Sequence, residues 1–102
     1  MHQLKVFILG PEPFLYTLNE LKPHLKFNSV NEIKNTDVIL FHEEALNEKK
    51  NHEILSKSNC LKVLASGSKK FSTDFDEFLK LPSSLSEINA AIENLVAKRA
   101  FN

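Results

Sequence analysis

Val6-Phe7-Ile8-Leu9-Gly10-Pro11-Glu12-Pro13-Phe14 is the stretch on which the fold turns. Four consecutive apolar residues, β-branched and aromatic among them, stop at a Gly-Pro pair, and a helical pattern starts within three residues. That reads as a strand covered on both faces that turns directly into a helix. In an open α/β sheet such a turn lies at the carboxyl end of a strand, where ligands and catalytic groups collect. Gly10, Pro11, Glu12 and Pro13 are poor tools for metal binding or proton transfer, so any chemistry must come from the other strand ends.

Working outward, the first strand spans residues 4–9, and the helix after it carries Phe14, Leu15, Leu18 and Leu21 at helical spacing. Thr17, Asn19, Glu20 and Lys22 take its other face, Pro13 suits its first turn and Pro23 closes it. Residues 26–30 alternate apolar and polar, as a strand with one wet face does. Residues 31–36 are too few for a crossover helix, so this link is a turn or loop with Ile33 as its anchor. Asp37-Val38-Ile39-Leu40-Phe41 is a second continuous apolar run and the candidate central strand, capped by His42-Glu43-Glu44. Residues 43–57 read as a solvent-facing helix with a thin stripe of Ala45, Leu46, Ile54 and Leu55. A strand over 61–65 ends at Ser66-Gly67-Ser68, a polar loop over 68–74 holds a lone Phe71, and a last strand over 75–81 stops at Pro82. Ser84-Leu85-Ser86-Glu87 is a capping box, and Leu85, Ile88, Ile92, Leu95 and Val96 form the stripe of a final helix reaching about Arg99. Strands alternating with helices on short connections predict a parallel sheet covered on both faces, with right-handed crossovers.

Composition narrows the function classes. A chain of 102 residues is expected to form one domain over positions 1–102, with a single core. Thirteen basic residues balance thirteen acidic ones, so no overall field draws the chain to nucleic acid or an anionic membrane. The single cysteine, Cys60, excludes an internal disulfide and a multi-cysteine metal site and fits a reducing compartment. It reads as a small buried hydrophobe near a strand start. No apolar run approaches the roughly 18 residues of a membrane span. Met1-His2-Gln3-Leu4-Lys5 leads straight into the first strand, which leaves no room for a signal peptide. The expectation is a cytoplasmic soluble domain.

Two stretches carry a resemblance. Lys5-Val6-Phe7-Ile8-Leu9-Gly10-Pro11-Glu12-Pro13 resembles the strand followed by Asp-Asp-Glu-Pro of the receiver domain of bacterial response regulators. Glu77-Phe78-Leu79-Lys80-Leu81-Pro82 resembles that family's aromatic, then Lys-Pro, before its last helix. The resemblance spans nearly the whole chain. It implies a flavodoxin-like fold, a five-stranded parallel sheet of order 2-1-3-4-5, here with shortened or missing second and fourth helices. The family's magnesium-binding acidic pair falls on Gly10 and Pro11, its phosphoryl-accepting aspartate on His42, its hydroxyl residue on Ala65 with Ser66 one place late, and its lysine on Leu81 with Lys80 one place early. The switch aromatic is matched by Phe78, and the prolines by Pro13 and Pro82. Magnesium needs carboxylate oxygens in near-octahedral array, and phosphoryl transfer needs every one of these electrostatic elements. The resemblance therefore implies a pseudo-receiver: no enzyme, no cofactor, no metal, and signalling or assembly through a protein partner or a second copy of itself. DNA would be reached only through an attached domain past Asn102, as in an orphan response regulator.

The other readings are set beside it. His42 with Glu43 and Glu44, and His52 with Glu53, lie ten residues apart without metal-ligand spacing. His42 reads as a neutral histidine at a strand end, with a pH switch as the sharper version. Glu12 reads as a helix-start acid, and Ser66-Gly67-Ser68-Lys69-Lys70 as a solvated loop without P-loop glycines. Self-association would run through the first helix, or through the last helix with the Phe71 region, and Phe101 suits a packed end or a domain junction. The competing function is a small flavodoxin-like ligand binder or enzyme using the sheet edge near Gly10, His42 and Ser66.

Overall fold

The computed structural model describes residues 4–67, 75–82 and 84–100, the side chains of 96 and 98–100 excepted. In chain order the elements are β1 (Lys5–Leu9), α1 (Glu12–Leu21), β2 (Asn28–Val30), β3 (Val38–His42), α2 (Lys49–Lys57), β4 (Leu61–Ser66), β5 (Glu77–Lys80) and α3 (Leu85–Ala100). All pairings are parallel and the order is β2-β1-β3-β4-β5, the flavodoxin-like sheet expected. The 68–74 loop with Phe71, the Ser68-Lys69-Lys70 stretch, Val96 in the last stripe and Phe101 lie outside the described residues.

Side-chain alternation sorts the sheet into two cores. Val6, Val38, Leu40, Val63, Ala65 and Leu79 face Leu18 of α1 and Ile88, Ala91, Ile92 and Leu95 of α3. Ile39, Phe41 and Leu64 face the other way, against Leu55 of α2. Val38, Ile39, Leu40 and Phe41 are each 0 % exposed, as a central parallel strand covered on both faces requires. The Ser84–Glu87 capping box closes as expected: Glu87 N donates to Ser84 Oγ and Ser84 N to Glu87 Oε1, each at 3.2 Å.

Several boundaries differ from the expectations. The helix expected over 43–57 is broken: a 3-10 turn at Glu43–Asn47 is followed by extended backbone at Glu48 before α2 begins. Three bonds bind the two pieces. Glu48 N and Asn51 Nδ2 both donate to the Ala45 carbonyl, and His52 Nε2 donates to that of Leu46. The second strand begins at Asn28 rather than 26, because Leu25 and Phe27 are buried in the α1/α3 core. Asn89 of α3 holds that approach by accepting from Lys26 N at 3.0 Å and donating to the His24 carbonyl. The last strand is Glu77–Lys80, shorter than 75–81. Leu15 lies off the α1 stripe, a turn angle away from Phe14, Leu18 and Leu21, and is 39 % exposed. Pro23 sits inside a 3-10 turn at Lys22–His24 that carries the chain on from α1.

No helix joins β2 to β3. The 31–37 link turns at Asn35, whose φ of 63° suits an asparagine. Ile33 does not anchor it and stays 37 % exposed. On this side the α2 face of the sheet is therefore thinly covered, and Phe7 and Leu9 of β1 are only half-buried.

At the amino edge, two aspartates repeat one arrangement. Asp37 N donates to the Lys5 carbonyl while Asp37 Oδ2 accepts from Lys5 N at 2.9 Å. Asp76 does the same to Lys62, with Oδ2 accepting at 2.8 Å. Each aspartate stands just before a strand and extends the ladder by one side-chain bond, which fixes register at that end. Asp37→Ala and Asp76→Ala are each expected to destabilise the fold by about 0.5–1.5 kcal/mol. The pair share no hydrogen-bond partner, so in urea unfolding the double variant is expected to lose the sum within about 0.5 kcal/mol.

Candidate functional site

The carboxyl ends of β1, β3 and β4 bring Gly10, His42 and Ser66 to one edge of the sheet, with the 3-10 turn at Glu43–Asn47 laid over it. His42 caps that turn: its Nδ1 accepts from Glu44 N at 3.0 Å. The ring also meets Phe14 of α1 edge to face, with centroids 5.1 Å apart. Gly10 lies under the same contact. A Cβ placed there would be 2.5 Å from Phe14 Cδ2 and 3.0 Å from His42 Cβ. The glycine is thus required by the close approach of an aromatic ring, and the space beside it is filled by hydrocarbon and imidazole.

Pro11 is the N-cap of α1 with φ of −69° and ψ of 161°, and no side chain caps that helix. Glu12 is exposed in the first turn, where its charge suits the helix dipole, and it makes no capping bond of the kind expected. Ala65 is 0 % exposed and points into the core under α1 and α3. The hydroxyl at this strand end belongs to Ser66, which donates to Glu43 Oε2 at 2.6 Å. Sequence reasoning had Glu43 beside His42 at the strand end and as the start of a polar helix, but missed its bond to Ser66. The signal was present in His42-Glu43-Glu44 directly after an apolar strand, where a turn, and not a continued helix, throws the first acid back across the edge.

On β5 the alternation places Leu79 and Leu81 with the α1/α3 core and Phe78 with the α2 core. Lys80, the register partner of Ser66, is exposed, and Leu81 N donates to the Ser66 carbonyl at 3.0 Å. Leu81 is thus packed apolar surface, and Lys80 projects on the opposite side of the strand. Phe78 is half-buried against Phe75, ring centroids 6.0 Å apart.

Cys60 is half-buried and its Sγ donates to the Thr36 carbonyl at 3.0 Å. Two hollows flank α2. One of about 620 Å³ opens over the end of β1 between Phe7, Leu9, Pro11, Leu15 and Ile54. The other, about 700 Å³, runs from Lys50 and Ile54 to Ile33 and Cys60.

At the positions that the receiver resemblance assigns to magnesium, Gly10 and Pro11 offer no side-chain oxygen, and the Phe14 ring stands over the first of them. These residues do not fit the ion. Among the described residues no group of three or more His, Cys, Asp or Glu is placed to hold a metal, and no helix is long and apolar enough to cross a membrane.

No protein-family model matches the sequence, and no curated protein matches it. Among solved structures the chain is similar to the response regulator receiver domain (CheY-like) from Methylobacillus flagellatus. The TM-score is 0.65 at 14 % identity, over 91 % of this chain and 98 % of that one. A likeness at this identity is one of fold, and it supports the five-stranded receiver architecture.

If the Phe14 ring is what occupies the space beside Gly10, Gly10→Asp is expected to cost about 1–3 kcal/mol by overpacking. Combined with Phe14→Ala, it is expected to cost less than the sum of the single changes, by about 0.5–3 kcal/mol in a urea-unfolding cycle. Additive costs would mean that the ring does not set the constraint.

Proposed function

We propose that this chain is a receiver-like regulatory domain that works without phosphorylation, as the interaction module of an orphan response regulator in signal transduction and transcription regulation. The observation that carries the reading is the Phe14 ring packed over Gly10 and against His42. In a receiver this edge gathers carboxylates around a metal and an acceptor. Here the corresponding positions, Gly10, Pro11, His42, Ala65 and Leu81, supply a bare backbone, a ring-locked residue, an imidazole engaged as a turn cap, and two core hydrocarbons. Phosphoryl transfer depends on electrostatic stabilisation of the transferring group, and these residues provide none.

In this reading the domain is no enzyme, takes no cofactor, and acts by protein contact with a partner or a second copy, reaching DNA only through an attached domain. Phe78 keeps the place of the switch aromatic, with Phe75 against it, and no phosphoryl group to follow. Incubation with acetyl phosphate and magnesium is expected to leave the intact mass unchanged. A stable, acid-labile phosphoryl adduct would overturn the proposal.

The hollow of about 620 Å³ beside Gly10 and Pro11 favours a second reading, a small-molecule binder at the same edge. That reading expects a nucleotide, flavin or divalent metal to raise the melting temperature by mass action. The first reading expects none of them to do so.

A further inference from the structure

The hollows beside α2 lie where no crossover helix joins β2 to β3. Lys50 and Ile54 line both, and Lys57 and Glu53 continue the rim of the one that reaches Cys60, which gives a stripe of Lys50, Ile54 and Lys57 at spacing i, i+4, i+7. The stripe reads cation, aliphatic, cation. Behind it lie the half-buried Phe7 and Leu9 in one hollow and the exposed Ile33 in the other.

The outward face of α1 carries the complementary pattern. Glu12, Tyr16 and Glu20 stand at i, i+4, i+8, all exposed, with Tyr16 at 67 % the most exposed large apolar side chain among the described residues. This stripe reads carboxylate, aromatic, carboxylate. At the helical rise it spans about 12 Å, against about 10 Å for the lysine stripe.

We propose that α1 of one copy docks in the hollow beside α2 of a second copy. Tyr16 then lies over the apolar floor, and Glu12 and Glu20 pair with Lys50 and Lys57. Both stripes read the same from either end, so the charges match whichever way the docked helix runs. Glu53, near the middle of the lysine stripe, is an acceptor for the Tyr16 hydroxyl. Lys50 gives up little to join, because its 3.5 Å contact with Glu48 is between two largely exposed side chains. A formal net charge of zero leaves no long-range repulsion between copies.

Within one copy, α1 covers one face of the sheet and α2 the other. The two halves of the contact therefore face apart, the contact is heterologous, and it extends from copy to copy instead of closing as a pair. The proposal rests on the reading of the domain as an interaction module and names the partner as the chain itself.

Sedimentation velocity across a concentration series tests it. The weight-average mass is expected to climb past that of a dimer as concentration rises, and to fall back between ~0.05 and ~0.5 M salt as the charges are screened. Tyr16→Glu and the double variant Lys50→Glu/Lys57→Glu are each expected to raise the concentration for half-assembly by about tenfold or more. Glu12→Lys/Glu20→Lys is expected to fail alone and to assemble when mixed with Lys50→Glu/Lys57→Glu. That rescue separates lost pairing from lost folding, since two unfolded chains would not restore each other. A monomer at every concentration, assembly indifferent to these variants, or a mixture that stays apart overturns the proposal. A monomer that also stays inert to acetyl phosphate removes this contact alone, whereas a phosphoryl adduct removes the pseudo-receiver reading whatever the mass.

Discussion

A parallel sheet must be covered on both faces, because every strand interior carries backbone and apolar side chains that water cannot be allowed to reach from either side. In this chain β3 meets that demand in full, with four consecutive residues at 0 % exposure, and the positions of α1, α3 and α2 follow from it. β1 meets it only in part. The 31–37 link is too short to lay a helix over it, so the α2 face of Phe7 and Leu9 is left to a hollow. β2 is correspondingly short, three residues of which Ser29 and Val30 are half-buried and Asn28 is exposed.

The carboxyl edge is closed by packing as well as by hydrogen bonds. Gly10, Phe14 and His42 pack as a small apolar plug. Glu43 spends its carboxylate on the Ser66 hydroxyl, and His42 spends its acceptor nitrogen on a backbone amide. These polar groups beside the plug are thus each engaged in a hydrogen bond. The fold alone does not assign a job, and the functional reading depends on these particular pairings.

Much of the architecture was legible in the residues. The continuous apolar runs at Val6–Leu9 and Val38–Phe41 marked strands buried on both faces, the Ser84–Glu87 box marked a helix start, and the short 31–36 interval ruled out a second helix. Glu48, by contrast, is a good helix former by type, so nothing local marked the break there. The break is set by Asn51 and His52 reaching back to the Ala45 and Leu46 carbonyls, a tertiary preference that outweighs propensity. Leu15 and Ile33 were expected inside because they are large and apolar, yet burial depends on what lies opposite: Leu15 falls off the α1 stripe, and Ile33 sits in a link that carries no helix. At the edge, Gly10 and His42 were legible as positions. That an aromatic ring four residues downstream fills the space between them was not, because the side-chain direction of Phe14 depends on the angle at which α1 leaves the strand.

The ring over Gly10 also governs which sequences are reachable from this one. An acid at position 10 has room only after Phe14 has shrunk, and shrinking Phe14 first strips a partner from His42 and leaves the corner underpacked. Either order passes through a chain weakened by about 0.5–3 kcal/mol, a sizeable share of the ~5–15 kcal/mol that holds a domain of this size together. Each residue makes the other hard to replace, so neutral drift alone would not easily place a carboxylate at this corner.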